Sequence, residues 1–211
     1  MKKIILIIIV SIWGTYQFKP ELLSFGSTPG AYDDQGNPLT LVFTHPQCKK
    51  PCEETLSLLA KRRIQYTEYI QDGDVESRQV WKKHGGYNKY PFLVIGNETV
   101  MGSYKSMLVS KLAIAYGDAA LTKSERFYMK KHFHEDGLPK LVMYSADWCQ
   151  YCRKLRNALN ENKIDYIEID VEKSSWGKSL MKTLRISGYP TVYYGYELLH
   201  KTDPKSVLAR I

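Results

Sequence analysis

Short apolar runs alternate along the chain with stretches of helical period. Leu41-Val42-Phe43-Thr44 and Val142-Met143-Tyr144-Ser145 are runs of strand length, each followed by three residues and then a cysteine, Cys48 or Cys149. Beyond each cysteine the period lengthens: Leu56, Leu58 and Leu59 in one place, Leu155, Ala158 and Leu159 in the other, mark one face of a helix. Both stretches close on Ile-x-Tyr, at Ile64 and Tyr66 and at Ile164 and Tyr166. Farther on, Tyr90-Pro91-Phe92-Leu93-Val94-Ile95-Gly96 stands beside Tyr189-Pro190-Thr191-Val192-Tyr193-Tyr194-Gly195. So many anchors in nearly one register mark an internal duplication.

Each copy predicts strand, helix, strand, helix, strand, strand. In the second copy these are a strand over Lys140–Ser145, a helix over Cys149–Asn162, a strand over Asp165–Asp170, a helix over Ser174–Leu184, and a hairpin of Thr191–Gly195 with Glu197–His200. The first copy runs the same way, with Asn97-Glu98 as its hairpin turn and a last helix over Tyr104–Tyr116. A strand-helix-strand unit requires a parallel pair, and the closing hairpin adds antiparallel strands. The expected fold is therefore α/β: two tandem domains, 39–117 and 138–211, each a mixed four-stranded sheet flanked by helices. Residues 118–137 read as a charged connector that continues the first domain's last helix, with His132 and His134 solvated. Trp81 and Trp176 fall on the second helices at core spacing and read as packing residues.

The start of the chain differs. Met1-Lys2-Lys3 and the apolar run from Ile4 onward resemble the basic and apolar regions of a signal peptide, so residues 1–18 are expected to be a signal peptide or membrane anchor. Lysines on that side place the remainder outside the cytoplasm, in a periplasmic or other extracytoplasmic setting. Residues 19–38, rich in proline and glycine, read as a linker. The 211 residues carry a net charge of +8, shared equally by residues 39–117 and 138–211. With no basic arm and no basic-aromatic motif, that excess does not indicate nucleic acid. The four cysteines are too few for a disulfide-stapled scaffold of this length.

The cysteines fall into two close pairs. Trp148-Cys149-Gln150-Tyr151-Cys152 sits at a strand-to-helix junction, where exposed N–H groups and the helix dipole favour thiolate over thiol. A thiolate is the nucleophile of disulfide exchange, and a second cysteine one turn away can resolve the mixed disulfide. Zinc is a weaker reading, because zinc pairs sit on knuckles and not on long helices a domain apart. Cys48-Lys49-Lys50-Pro51-Cys52 has one more intervening residue, and it can close a disulfide if Cys48 lies just outside the helix. Two thiolates also suit copper(I), with His45 near enough in sequence to be a third ligand, although a polar loop residue beside the thiolate is the better reading of His45.

The apolar strand ending Tyr144-Ser145, the Cys149-x-x-Cys152 motif and Tyr189-Pro190-Thr191 resemble the thioredoxin superfamily, in the short form of the glutaredoxins. The resemblance covers 138–211 well and 39–117 less closely. It implies a cis proline at Pro190, and at Pro91 in the first copy, facing the cysteines and leaving the preceding backbone, Tyr189 or Tyr90, to meet substrate. Tyr151 and Thr191 would line that groove. The sequence departs from glutaredoxins at Ala146, where they usually carry a lysine for the glutathione carboxylate, and at His200-Lys201-Thr202, where they carry a glycine turn. Met101-Gly102-Ser103 resembles part of that turn in the first copy. The Cys-x-x-x-Cys pair also resembles that of the Sco copper-delivery proteins.

The resulting expectation is a thiol–disulfide oxidoreductase acting on protein thiols and disulfides, with Cys149 attacking and Cys152 resolving. Cys48 and Cys52 would form a second redox centre. No resident cofactor is expected, and glutathione enters only as a partner that the resemblance raises. The alternatives are a copper(I)-binding module built on Cys48 and Cys52, and a thioredoxin-fold interaction protein with inert disulfides.

Overall fold

The computed structural model describes residues 29–101 and 104–211. The expected signal or anchor segment, the first part of the linker, and Gly102 and Ser103 lie outside the described residues.

The first unit contains β1 (Thr40–Thr44), α1 (Lys50–Lys61), β2 (Thr67–Ile70), α2 (Val75–Lys83), β3 (Phe92–Ile95), β4 (Glu98–Met101) and α3 (Lys105–Tyr116). A connecting helix α4 (Lys123–Met129) leads to the second unit. That unit contains β5 (Leu141–Ser145), α5 (Gln150–Glu161), β6 (Ile167–Asp170), α6 (Gly177–Leu184), β7 (Thr191–Tyr194), β8 (Glu197–Leu198) and α7 (Pro204–Leu208). The strand orders are β2-β1-β3-β4 and β6-β5-β7-β8. In each sheet the first pair is parallel and the others are antiparallel. The central strands are buried throughout because helices cover both faces, which explains their unbroken apolar runs.

Alternation along β1 and β5 divides the core. Val42, Val142 and Tyr144 point into one cluster, shared by the two units, with Leu58, Leu59 and Leu112 of the first and Leu180, Leu184 and Tyr193 of the second. Leu41 and Phe43 face an outer layer that includes Val80 and Trp81 of α2. Leu141 and Met143 face the opposite outer layer, with Leu155, Leu159 and Val207 of α5 and α7. The molecule is therefore layered, with α1, α3 and α6 between the sheets. Ser110 of α3 donates its hydroxyl to the Tyr196 carbonyl (2.8 Å) and accepts the Leu198 N–H (2.8 Å), closing part of the β8 edge. With a core in common, the units are expected to unfold in a single transition. Calorimetric and van't Hoff enthalpies should agree, and two resolved transitions would refute this.

Several boundaries differ from the expectation. The hairpin turn is Gly96-Asn97, with Glu98 already paired to Ile95 in β4. Gly96 supplies the positive φ (54°) that such a two-residue turn needs. Trp176 precedes α6 instead of lying within it. Its ring remains packed, stacked at 5.8 Å on Tyr128 with the Lys131 ammonium 3.8 Å from its centroid. Gly177 touches Val171 so closely that a Cβ would fall 1.8 Å from the Val171 carbonyl oxygen.

The larger difference lies in the two stretches read as linkers. From residue 29 onward the first is folded onto its unit. Ala31 donates its N–H to Gly96 (2.9 Å), Leu39 donates to Ala31 (2.9 Å), and Gly36 closes a turn on Asp33 (3.0 Å). The second copy repeats this: Lys140 donates to His132 (2.8 Å) and Gly137 closes on His134 (3.0 Å). The duplication thus begins before the strands, and each unit carries an N-terminal arm.

The connector does not continue α3. Gly117 (φ 61°) ends that helix, and α4 starts afresh with a capping box between Thr122 and Glu125. His132 is fully buried, contrary to the expectation of a solvated side chain. It lies 2.9 Å from the Gly195 carbonyl through Nδ1 and 2.7 Å from the Tyr144 hydroxyl through Nε2. A carbonyl only accepts, so Nδ1 carries the proton and Nε2 accepts from Tyr144. In the first unit His84 is likewise buried, with Nδ1 2.9 Å from the Pro29 carbonyl.

Candidate active site

Strand β5 ends at Ser145, and a three-residue loop brings the chain to Cys149, the N-cap of α5. Its Sγ accepts the Cys152 N–H at 3.0 Å, so the sulfur occupies the place of a capping oxygen. Cys149 and Cys152 form a disulfide with a Cα separation of 5.3 Å. Cys152 is fully buried and Cys149 is 4% exposed, so Cys149 is the less buried residue of the pair. Its neighbours Trp148 and Tyr151 are 68% and 71% exposed.

The Tyr189-Pro190 peptide is cis. The register pairs Tyr144 with Thr191, which places this peptide beside the end of β5 that leads to the cysteines. The Tyr189 ring meets Trp148 edge-on at 5.9 Å and packs on the cluster that holds both sulfurs. Its hydroxyl reaches the Met181 sulfur at 3.3 Å. Thr191 donates its hydroxyl to the Gly188 carbonyl (2.7 Å), tightening the loop. Tyr151 sits in the first turn of α5 with the Lys154 ammonium 5.9 Å from its ring centroid.

Two polar features here escaped the sequence reading. The Trp148 indole donates to Glu172 (2.9 Å), fixing the ring beside Cys149. Beneath the strand end, Ser145 donates to Glu168 (2.7 Å), which also receives Arg156 through Nε (2.8 Å) and Nη2 (2.5 Å). The Arg156 hydrogen bonds outweigh burial and hold the Glu168 carboxyl below its usual range. The first unit carries half of this clasp, Thr44 donating to Glu68 at 2.7 Å. The signal for both was a hydroxyl closing the apolar run and a glutamate two residues after the Ile-x-Tyr tyrosine, repeated in each copy.

In the first unit Cys48 ends a 3-10 turn (Pro46–Cys48), outside α1, and Cys52 lies in the helix's first turns. They form a disulfide with a Cα separation of 5.6 Å. Lys49 takes up the extra residue with a positive φ of 44°. Lys49 and Lys50 are exposed, Cys48 is half-buried and Cys52 is buried. Tyr90-Pro91 is also cis. His45 stacks on Tyr90 at 5.5 Å, and its Nδ1 accepts the Gln47 N–H at 3.1 Å. That nitrogen is thereby occupied, and among the described residues no group of three or more His, Cys, Asp or Glu side chains could hold a metal ion. No helix of the described residues is long and apolar enough to cross a membrane.

Residues 141–199 match the sequence profile of the glutaredoxin family. Mycoredoxin 1 of Corynebacterium glutamicum is 35% identical over 78 residues, spanning 35% of this chain and 95% of that protein. A Mycobacterium tuberculosis protein named as a glutaredoxin is 47% identical over 32 residues, 15% of this chain and 38% of its own. Among solved structures, the alkylhydroperoxide reductase AhpF of Enterococcus faecalis is 15% identical with a TM-score of 0.31, covering 82% of this chain and 89% of that one. A strand-to-helix disulfide, a cis proline beside the end of that strand, and a relative matched over nearly its whole length lead to one assignment: the chain belongs to the glutaredoxin family of the thioredoxin superfamily, as a thiol–disulfide oxidoreductase of the glutaredoxin and mycoredoxin type.

Proposed function

We propose that the protein exchanges disulfides with protein substrates outside the cytoplasm, with Cys149 as the attacking sulfur and Cys152 as the resolving one. The observation that carries the roles is the N-cap position of Cys149, which gives its sulfur a backbone N–H and the positive end of α5, in a residue less buried than Cys152. In the reducing direction, the Cys149 thiolate attacks a substrate disulfide and expels one substrate thiolate, which takes up a proton. The Cys152 thiolate then attacks Sγ of Cys149, releasing the second substrate thiol and restoring the Cys149–Cys152 disulfide. Two electrons pass to the substrate, and the reverse sequence oxidises a substrate dithiol. Tyr189 and Pro190 present the substrate chain, with Tyr151 and Thr191 beside it. Cys48 and Cys52, with Tyr90 and Pro91, form a second centre that relays electrons with the first. The lysines and apolar run at the start of the sequence support the extracytoplasmic setting, held at a membrane if that segment is retained.

The test uses the full chain. Cys149→Ser is expected to abolish reduction of a protein disulfide such as insulin. Cys152→Ser is expected to retain attack and accumulate the mixed disulfide, visible as a reducible gel shift. Turnover that survives in Cys149→Ser would reject the assignment of roles. A Cys149–Cys152 pair that resists reduction to below about −300 mV would make the disulfide structural.

A further inference from the structure

The cis-proline loop of the second unit does not open onto bare solvent. Across from it stand β4 and the start of α3 of the first unit, and between them lies a groove of about 860 Å3. Met101, Tyr104 and Met107 line one wall, and Tyr189, Pro190 and Leu199 line the other. Tyr189 lines this groove and also packs on the cluster that contains Cys149 and Cys152, and the cis proline Pro190 and Thr191 line the groove beside it. Its size is near the upper end of what drug-sized ligands fill, more than a small thiol occupies. Tyr104 is 73% exposed, and methionines adapt their shape to varied apolar partners.

The charges on the groove are unequal in standing. Lys111 is paired with Glu98, and Arg210 with Glu197. Lys201 makes no ion pair among the described residues, and the nearby Asp203 carboxylate accepts the Ser206 N–H as the N-cap of α7. The groove therefore presents apolar side chains on both walls among polar ones, and a cation, Lys201, that acts on the nearby Asp203 carboxylate but makes no ion pair among the described residues.

We propose that this cleft between the units is the substrate groove of the Cys149 centre, that its occupant is an extended polypeptide segment with an acidic residue near the reactive cysteine, and that Lys201 reads that charge while Tyr104 and the methionines of the first unit hold the chain. This rests on the oxidoreductase function proposed above and names its substrate class. It also gives the first unit a role in the second unit's chemistry that does not require electrons to pass between them.

The experiment compares disulfide-linked dimers of short peptides identical except for Glu, Gln or Lys at positions flanking the cysteine, with bis(2-hydroxyethyl) disulfide as a small reference. The reduced full chain donates two electrons to each, and two thiols are released per disulfide consumed. At low salt the Glu peptide is expected to react about fivefold faster than the Lys peptide, and the preference should shrink as salt rises. Lys201→Glu is expected to invert the order, a change that loss of folding would not produce. Tyr104→Ala is expected to lower the ratio of peptide to reference rates about fivefold. Equal rates for the three peptides, or an order unchanged in Lys201→Glu, would overturn the proposal. If reference and peptides alike are left unreduced, the oxidoreductase function fails and the groove assignment with it.

Discussion

Glu125→Ala is expected to lower the unfolding free energy by about 3–5 kcal/mol, the range for breaking one side of a buried ion pair. Glu125 is 2% exposed and lies where three segments meet. Arg62, just after α1 in the first unit, reaches it with both terminal nitrogens (2.7 and 2.8 Å). Arg185, just after α6 in the second, reaches it with one (2.8 Å). The Thr122 N–H and hydroxyl complete the set at 2.9 Å each. Without the carboxylate, the buried Arg62 guanidinium keeps only the Ala120 carbonyl (2.8 Å). Glu125→Gln retains an acceptor but not the charge, and should fall between wild type and Ala. Urea unfolding measures all three. A loss below about 1 kcal/mol in Glu125→Ala would show that the pin contributes no more than an exposed pair. Burial pushes the Glu125 carboxyl up, but the hydrogen bonds from Arg62, Arg185 and Thr122 outweigh it and hold the pKa at about 2. This contribution is complete above the ordinary carboxylate value and fades only as pH falls from there toward about 2.

Mild acid is expected to act earlier, through His132. Burial, only partly offset by the Gly195 carbonyl, lowers its pKa from 6.5 to about 4. Between those values the unfolded chain binds the proton and the folded chain does not. Stability is therefore complete above 6.5 and declines as pH falls through the interval, by about 3 kcal/mol in all. At pH 5 the Glu125 carboxylate is still ionised, so the change isolates the imidazoles. The unfolding free energy should drop by about 2 kcal/mol from pH 7 to pH 5. His84, whose pKa burial also lowers, adds in the same direction. The His132→Gln variant separates the two, since it should flatten most of the pH dependence while losing stability at pH 7. A urea midpoint that does not move between pH 7 and pH 5 in the wild-type chain would refute this.

The contrast between these residues and the cysteines shows what the sequence made legible. Strands β1 and β5 were readable because both of their faces are buried, which leaves an apolar run that solvent exposure cannot interrupt. The prolines at 91 and 190 were readable because each opens a buried strand, and the duplication repeats them. The arms were not readable as structure because backbone hydrogen bonds and a glycine turn hold them, and neither leaves a hydrophobic period. Glu125 and His132 sit among charged residues whose ordinary place is the surface. What buries them comes from far along the chain: Arg62 and Arg185 for one, Tyr144 and Gly195 for the other. Trp148 and Glu172 meet only because β6 lies beside β5, an adjacency set by the fold and not by spacing.

The contact of Ser110 with Tyr196 and Leu198 gives the molecule a history as well as a shape. Ser110 waits 88 residues for the Leu198 amide that it accepts. At ribosomal speeds of about 5–20 residues per second, that is roughly 4–18 s of synthesis. For that time the first unit has its strands and both of its cysteines, but the face of α3 that will meet β8 stays uncovered. The nascent first unit, with Cys48 and Cys52 already present, meets any oxidant before its own partner domain exists.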